Sequence, residues 1–208
     1  MVSRAAADQG ERRRRRLTEQ ERRAQIIRGC VDVLAEEGYQ GASLARVARA
    51  AGVSKGLVSH YFSDRDTLME QTAIATVAEV REGLAAELDL TAEVPEVLRA
   101  AVRLASRLRQ THARELRAID QIVHNLRGPD GSPRLDPRAY EETYRAQEQL
   151  LRRGQEEGSL REFDTRVMAV TYQGSIDTML AYLGAHPEAD AAAYADALID
   201  LLLAAIRR

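Results

Sequence analysis

Residues 44–62 read LARVARAAGVSKGLVSHYF, two short helical patterns interrupted by Gly52-Val53-Ser54. Few local arrangements satisfy this spacing. The first pattern, Leu44, Val47, Ala48 and Ala51, stops at a glycine, and the second begins two residues later. Such a turn needs a backbone with positive φ, which glycine adopts without steric cost. Small Ala48 and Ala51 let the two helices approach closely, while Val53, Val58 and Phe62 face inward. Ser43 and Ser54 stand where N-caps belong. The spacing predicts a helix-turn-helix whose second helix turns Lys55, Ser59, His60 and Tyr61 outward.

The rest of the 208 residues reads as helix. Aromatics are 4% of the chain and β-branched residues are few, so a sheet has little to build on. Thr18-Glu19-Gln20-Glu21 is a capping-box pattern, and behind it Ile27, Val31 and Leu34 recur at helical spacing up to Gly38. Ser63 or Asp64 opens a helix through Leu68, Thr72, Ala75, Leu84 and Leu88. Further helices are expected at 94–108, 113–126, from Tyr140 to near Gly158, 165–183 and 189–206. RGPDGSPRLDP (127–137) is the clearest loop. The fold class is all-α, with about nine helices. The expected division is a disordered basic arm (1–17), a unit built around the helix-turn-helix (18–80, with its motif at 43–62) and a helical remainder (81–208).

Charge is unevenly divided along the chain. Residues 1–64 carry a formal +4 and residues 65–208 a formal −6. A basic N-terminal third on an acidic remainder suits a nucleic-acid reader joined to something else. In a helix-turn-helix the second helix enters the major groove and its N-terminal residues reach base edges. Lys55, the only lysine, would then donate to guanine O6 and N7. Gly56 permits close approach to the groove floor, Leu57 meets a thymine methyl, and Ser59, His60 and Tyr61 suit phosphate oxygens. Arg65 is placed to clamp a further phosphate, and Ser43, Arg46 and Ser54 complete the DNA-facing set. On spacing alone, an ordinary helical hairpin with a solvated polar face fits equally well.

The stretch LARVARAAGVSKGLVSHYFSDRDTL (44–68) resembles the signature of the tetracycline-repressor (TetR) family. The matching residues are Val47-Ala48, Ala51-Gly52-Val53-Ser54, Tyr61-Phe62, Arg65 and Leu68, within a likeness covering roughly residues 20–80. The resemblance implies a one-component transcriptional regulator, usually a repressor. It also implies a homodimer reading a palindromic operator, with a small-molecule pocket in the C-terminal helices. Many members have tyrosine where this chain has Ser59, which shortens one expected contact. GLVSHYF (56–62) looks like the branch that includes the choline-responsive repressor of betaine synthesis.

Polar and aromatic residues available to line a pocket are His112, His124, Tyr140, Tyr144, Met168, Tyr172, Gln173 and Asp177. Tyr140 and Tyr144 share a helix face. A carboxylate beside tyrosines suits a cationic ligand through charge and cation–π attraction, although tyrosine stripes are more often core. By resemblance, the last two helices form the dimer surface through Val167, Val170, Ile176, Leu180, Leu198, Leu201, Leu202 and Ala205. Arg12–Arg16 either tracks phosphates or is a solvated tail.

Enzymatic readings find little to stand on. His112 with Glu115, and Asp120 with His124, have spacings that can pair ligands on a helix face. Yet the chain has only four histidines and no phosphate loop, nucleophile elbow or HExxH motif. No metal or cofactor is expected. A helical adaptor that has lost DNA reading is a further alternative. One cysteine excludes an internal disulfide. With no apolar run of membrane-spanning length and no signal-peptide pattern, a cytoplasmic protein, nucleoid-associated when on DNA, is expected.

Overall fold

The computed structural model describes residues 17–132, 134 and 140–208. The Arg12–Arg16 arm and part of the 127–137 loop lie outside them. The described residues form ten helices: α1 (Glu19–Gly41), α2 (Leu44–Ala50), α3 (Lys55–Tyr61), α4 (Arg65–Ala86), α5 (Val94–Ser106), α6 (Leu108–Thr111), α7 (Ala113–Asn125), α8 (Glu141–Glu156), α9 (Thr165–Ala185) and α10 (Ala191–Ile206). Among them the only β pairing is an isolated bridge between Leu160 and Arg207. None of these helices is long and apolar enough to cross a membrane.

Local chemistry explains most of the boundaries. Thr18 and Glu21 form the reciprocal capping box that opens α1. The hydroxyls of Ser43 and Ser54 accept from the Arg46 and Leu57 amides, opening α2 and α3. Asp64, rather than Ser63, caps α4 by accepting from Thr67 N–H at 2.7 Å. The tenth helix is the single turn α6, separated from α5 by Arg107 alone. At Gly38 (φ 72°, ψ 179°) the helix breaks where expected, but the chain coils again through Gly41. Leu88 falls beyond the end of α4.

Two apolar cores divide the described residues. One joins Ile26, Leu34, Val47, Val58, Phe62, Leu68 and Met69 from α1–α4 with Ala118, Ile122 and Leu126 from α7 and its C-cap. The other joins Val80 at the far end of α4 with α5, α6 and α8–α10. Helix α4 contributes to both cores, and α7, a helix from the C-terminal two thirds, completes the core of the N-terminal unit. Polar groups hold it along α1. Arg114 pairs with Asp32 (3.0 Å) and Glu36 (2.6 Å), and Gln121 Oε1 accepts from Tyr39 N–H at 3.1 Å.

Candidate nucleic-acid interface and cavity

Three braces from α1 set the position of the helix-turn-helix. Gln25 Nε2 donates to the Ala51 carbonyl (2.7 Å), Gly29 packs against Ala51, and Arg23 Nη1 donates to the Tyr61 carbonyl (3.1 Å) while its guanidinium lies 4.9 Å over the Phe62 ring. Gly52 has φ 65°, the left-handed turn expected between the two helices. With Val58 and Phe62 fully buried, α3 can only present its opposite side to solvent. On that side stand Lys55, Gly56, Ser59 and His60, all exposed, flanked by half-buried Leu57 and Tyr61. Lys55 makes no ion pair among the described residues. Gly56 has only the Ser54 hydroxyl, 4.0 Å away, near the position a Cβ would take. The His60 and Tyr61 rings meet edge to face at 5.3 Å.

Four expected DNA contacts look different in place. Ser43 and Ser54 spend hydroxyl lone pairs on capping. Arg46 makes a loose surface pair with Glu37 at 3.5 Å, the kind of contact that is readily exchanged. Arg65 requires a correction. Its Nε donates to the Ala42 carbonyl (2.8 Å), an Nη donates to the Tyr39 carbonyl, and its guanidinium lies 4.2 Å over the Tyr39 ring. It is therefore a staple between the start of α4 and the end of α1, because those carbonyls beyond the Gly38 break need donors. Sequence reasoning missed Arg23 and Gln25, whose helical spacing alone does not reveal that they brace the turn.

The second region is a cavity of about 750 Å³ in the C-terminal bundle. Its wall is mainly apolar, with Val77, Leu84, Leu88, Val97, Leu98, Ala101, Leu116, Ile119, Leu150 and Ile176 among the lining residues. Of the eight residues expected to line a pocket, four do so: Tyr140, Tyr172, Gln173 and Asp177. The Tyr172 hydroxyl donates to the Leu98 carbonyl (3.2 Å), and complete burial pushes its pKa up. Tyr140 is pushed up to about 12, first by burial and then by the nearby Asp177 carboxylate. Asp177 is reached by solvent, yet the protein around it raises its carboxyl above the usual range.

The other four lie elsewhere. His112 bonds Thr111 Oγ1 (2.8 Å) at the α6–α7 junction, and exposed His124 donates from Nδ1 to the Asp120 carbonyl one turn back. Met168 is core. Tyr144 stacks beside Tyr140 at 6.1 Å but carries the protein's own Arg166 over its ring at 4.9 Å.

Ile176 and Leu180 also need correcting, since both line the cavity rather than an outer face. Nine residues separate Val167 from Ile176, two and a half helical turns, which puts them on opposite sides. Val167 (63% exposed), Val170, Thr171, Gly174 and Thr178 form the actual outer face of α9. Leu201 (72% exposed) and Ala205 are open on α10, with Leu198 and Leu202 half-buried beside them. Cys30 is buried, which pushes its thiol up to about 11 and leaves it an unreactive core group. Among the described residues, no three His, Cys, Asp or Glu side chains are grouped to hold a metal ion.

The fold is similar to that of solved TetR-family transcriptional regulators. Residues 26–72 match the family model of bacterial regulatory proteins, tetR family. Over 63 residues the chain is 40% identical to the HTH-type transcriptional regulator BetI of Klebsiella pneumoniae (strain 342), and 38% identical to BetI of Escherichia coli (strain K12 / DH10B). These matches cover 30% of this chain and 32% of either regulator, so the chain aligns with about a third of the length of these relatives. The fold likeness extends much further. A TetR-family regulator from Rhodococcus sp. superposes with a TM-score of 0.73 at 19% identity, covering 88% of this chain and 99% of that one. FadR from Bacillus subtilis, solved with stearoyl-CoA, gives 0.71 at 20% identity, covering 86% and 97%.

Proposed function

We propose that the chain is a one-component transcriptional repressor that binds a palindromic operator as a homodimer and leaves it when a small molecule enters the cavity. The observation that carries this reading is the double allegiance of α7. Ala118 and Ile122 are in the core of the reading head, while Leu116, Ile119, Asp120 and Val123 on other sides of the same helix line the cavity. A ligand that prefers one position of α7 therefore also prefers one position of α1 and the α3 it braces. An effector acts through such a difference in affinity between two states.

Dimerisation places two recognition helices about 34–36 Å apart on successive major grooves. The outer faces of α9 and α10, with Val167, Val170, Leu201 and Ala205, support a two-fold contact there. The 40% identity to BetI spans only 63 residues, and we take it to bear on the DNA rather than on the effector. Its extension to the betaine-pathway branch is part of this proposal for the head alone.

Selection of the protein against a random duplex pool at about 0.15 M salt, where non-specific phosphate binding is weak, tests the reading. The wild type is expected to enrich an inverted repeat. Lys55→Ala is expected to lose about 1–3 kcal/mol of discrimination at one base pair per half-site. Failure of the wild type to enrich any sequence would refute the proposal and favour a helical adaptor.

A further inference from the structure

The cavity wall carries five charged side chains whose pairing decides what it attracts: Arg81, Arg109, Arg153, Asp120 and Asp177. Each arginine has a carboxylate within 4 Å. Arg81 meets Glu142 at 3.4 Å, Arg109 meets Asp120 at 3.9 Å and the Leu180 carbonyl at 3.4 Å, and Arg153 meets Glu157 at 3.2 Å and two backbone carbonyls. Asp177 has no cation among the described residues. Its one hydrogen-bond donor there is Gln173 Nε2, at 2.9 Å.

That bond fixes the polarity of a short relay. An ionised carboxylate only accepts, so Gln173 must turn its NH2 toward Asp177 and its oxygen away. Gln147 must then donate its own NH2 to Gln173 Oε1, as it does at 2.8 Å. The far end of the relay is consequently another acceptor, Gln147 Oε1, buried and without a donor among the described residues. The accessible end of the relay, Asp177, thus presents a charged oxygen acceptor in a wall that is otherwise mostly apolar, while the buried Gln147 end fixes the direction of the chain. Tyr140 stands close enough to Asp177 to feel its charge and adds an aromatic ring to the same site.

We infer that the effector is an organic monocation, a protonated amine on an extended apolar body, whose head is held by Asp177, the Gln173–Gln147 relay and Tyr140. This rests on reading the cavity as the effector site. A carboxylate with no cation beside it, set in a mostly apolar cavity wall, favours a ligand that brings both a positive charge and N–H donors. The volume of about 750 Å³ calls for a body far larger than the head alone, within the range of drug-sized sites.

Calorimetric titration with decylammonium, decanol and decyl sulfate, each below its micelle concentration, separates head from body. Decylammonium is expected to bind about tenfold or more tighter than decanol, with decyl sulfate weakest. Asp177→Asn keeps an oxygen for Gln173 to donate to. It should erase that advantage while leaving decanol affinity within about twofold. Three results would each overturn the inference: no decylammonium binding to the wild type, tightest binding of decyl sulfate, or unchanged decylammonium affinity in Asp177→Asn. The order among the three probes on the wild type needs no variant, so a folding defect cannot leave the matter open. No DNA is present either. Loss of the operator reading and loss of the cation reading therefore show up in different experiments.

Discussion

The reading head and the C-terminal bundle are both helical and both rich in alanine, yet one is filled and the other is hollow. In the head, Phe62, Ile26, Leu34, Leu68 and Met69 have no solvent-accessible surface, and backbones approach so closely that Gly29 lies against Ala51. In the bundle, α4, α5, α7, α8 and α9 surround about 750 Å³ of space. A DNA reader must hold side chains at one position relative to the groove, which close packing provides. An effector domain must give up packing energy to leave room for a guest. The two regions share α4 and α7, so rigidity on one side and adaptability on the other meet in the same helices.

Substitutions that change volume in each region bear directly on this contrast. The largest effect is expected for Phe62→Ala, which leaves a void in the filled core. Chemical denaturation should show a loss of about 3–5 kcal/mol. Next is Gly29→Ala, where an added Cβ would lie 2.8 Å from both Cβ and N of Ala51. It should cost about 1–3 kcal/mol in the same assay and weaken DNA binding by displacing the turn. Ala101→Leu adds more atoms than Gly29→Ala, but into the cavity. Its stability is expected to stay within about 1 kcal/mol of wild type while cavity ligands bind less tightly. A large destabilisation there would mean that the bundle is as tightly filled as the head.

The smallest expected effect is that of Asp177→Asn on the free protein. Burial raises the Asp177 carboxyl, so the folded state holds that proton more firmly than the unfolded chain. Its contribution to stability is full below the ordinary value of 3.8 and is lost as pH rises through the raised value. At neutral pH the asparagine variant should therefore melt slightly higher, by about 1–2 °C once solvent screening is allowed for. Below about pH 3.8 the difference should vanish. Melting curves at the two pH values check both the sign and the window.

The head was largely legible in the residues themselves. Ser43, Gly52, Ser54 and Asp64 act within a turn or two of their own positions, so capping and backbone sterics could be read directly. The outward face of α3 followed from burial of Val58 and Phe62 four residues apart. Arg65 was misread because its partners, Ala42 and Tyr39, are 23 and 26 residues away and are backbone carbonyls, which no side-chain pattern announces. Ile176 and Leu180 were misplaced by grouping apolar residues along α9 without following 3.6 residues per turn.

Local sequence alone, then, determined the helices, the glycine turn and the chemistry displayed on α3, because those depend on interactions spanning a few residues. Only tertiary structure decided that α7 would complete the head's core while lining the cavity. It also decided that three wall arginines would meet carboxylates while Asp177 meets no cation among the described residues. Those outcomes depend on which distant helices meet, and in an all-helical chain many apolar faces are nearly interchangeable until packing selects among them.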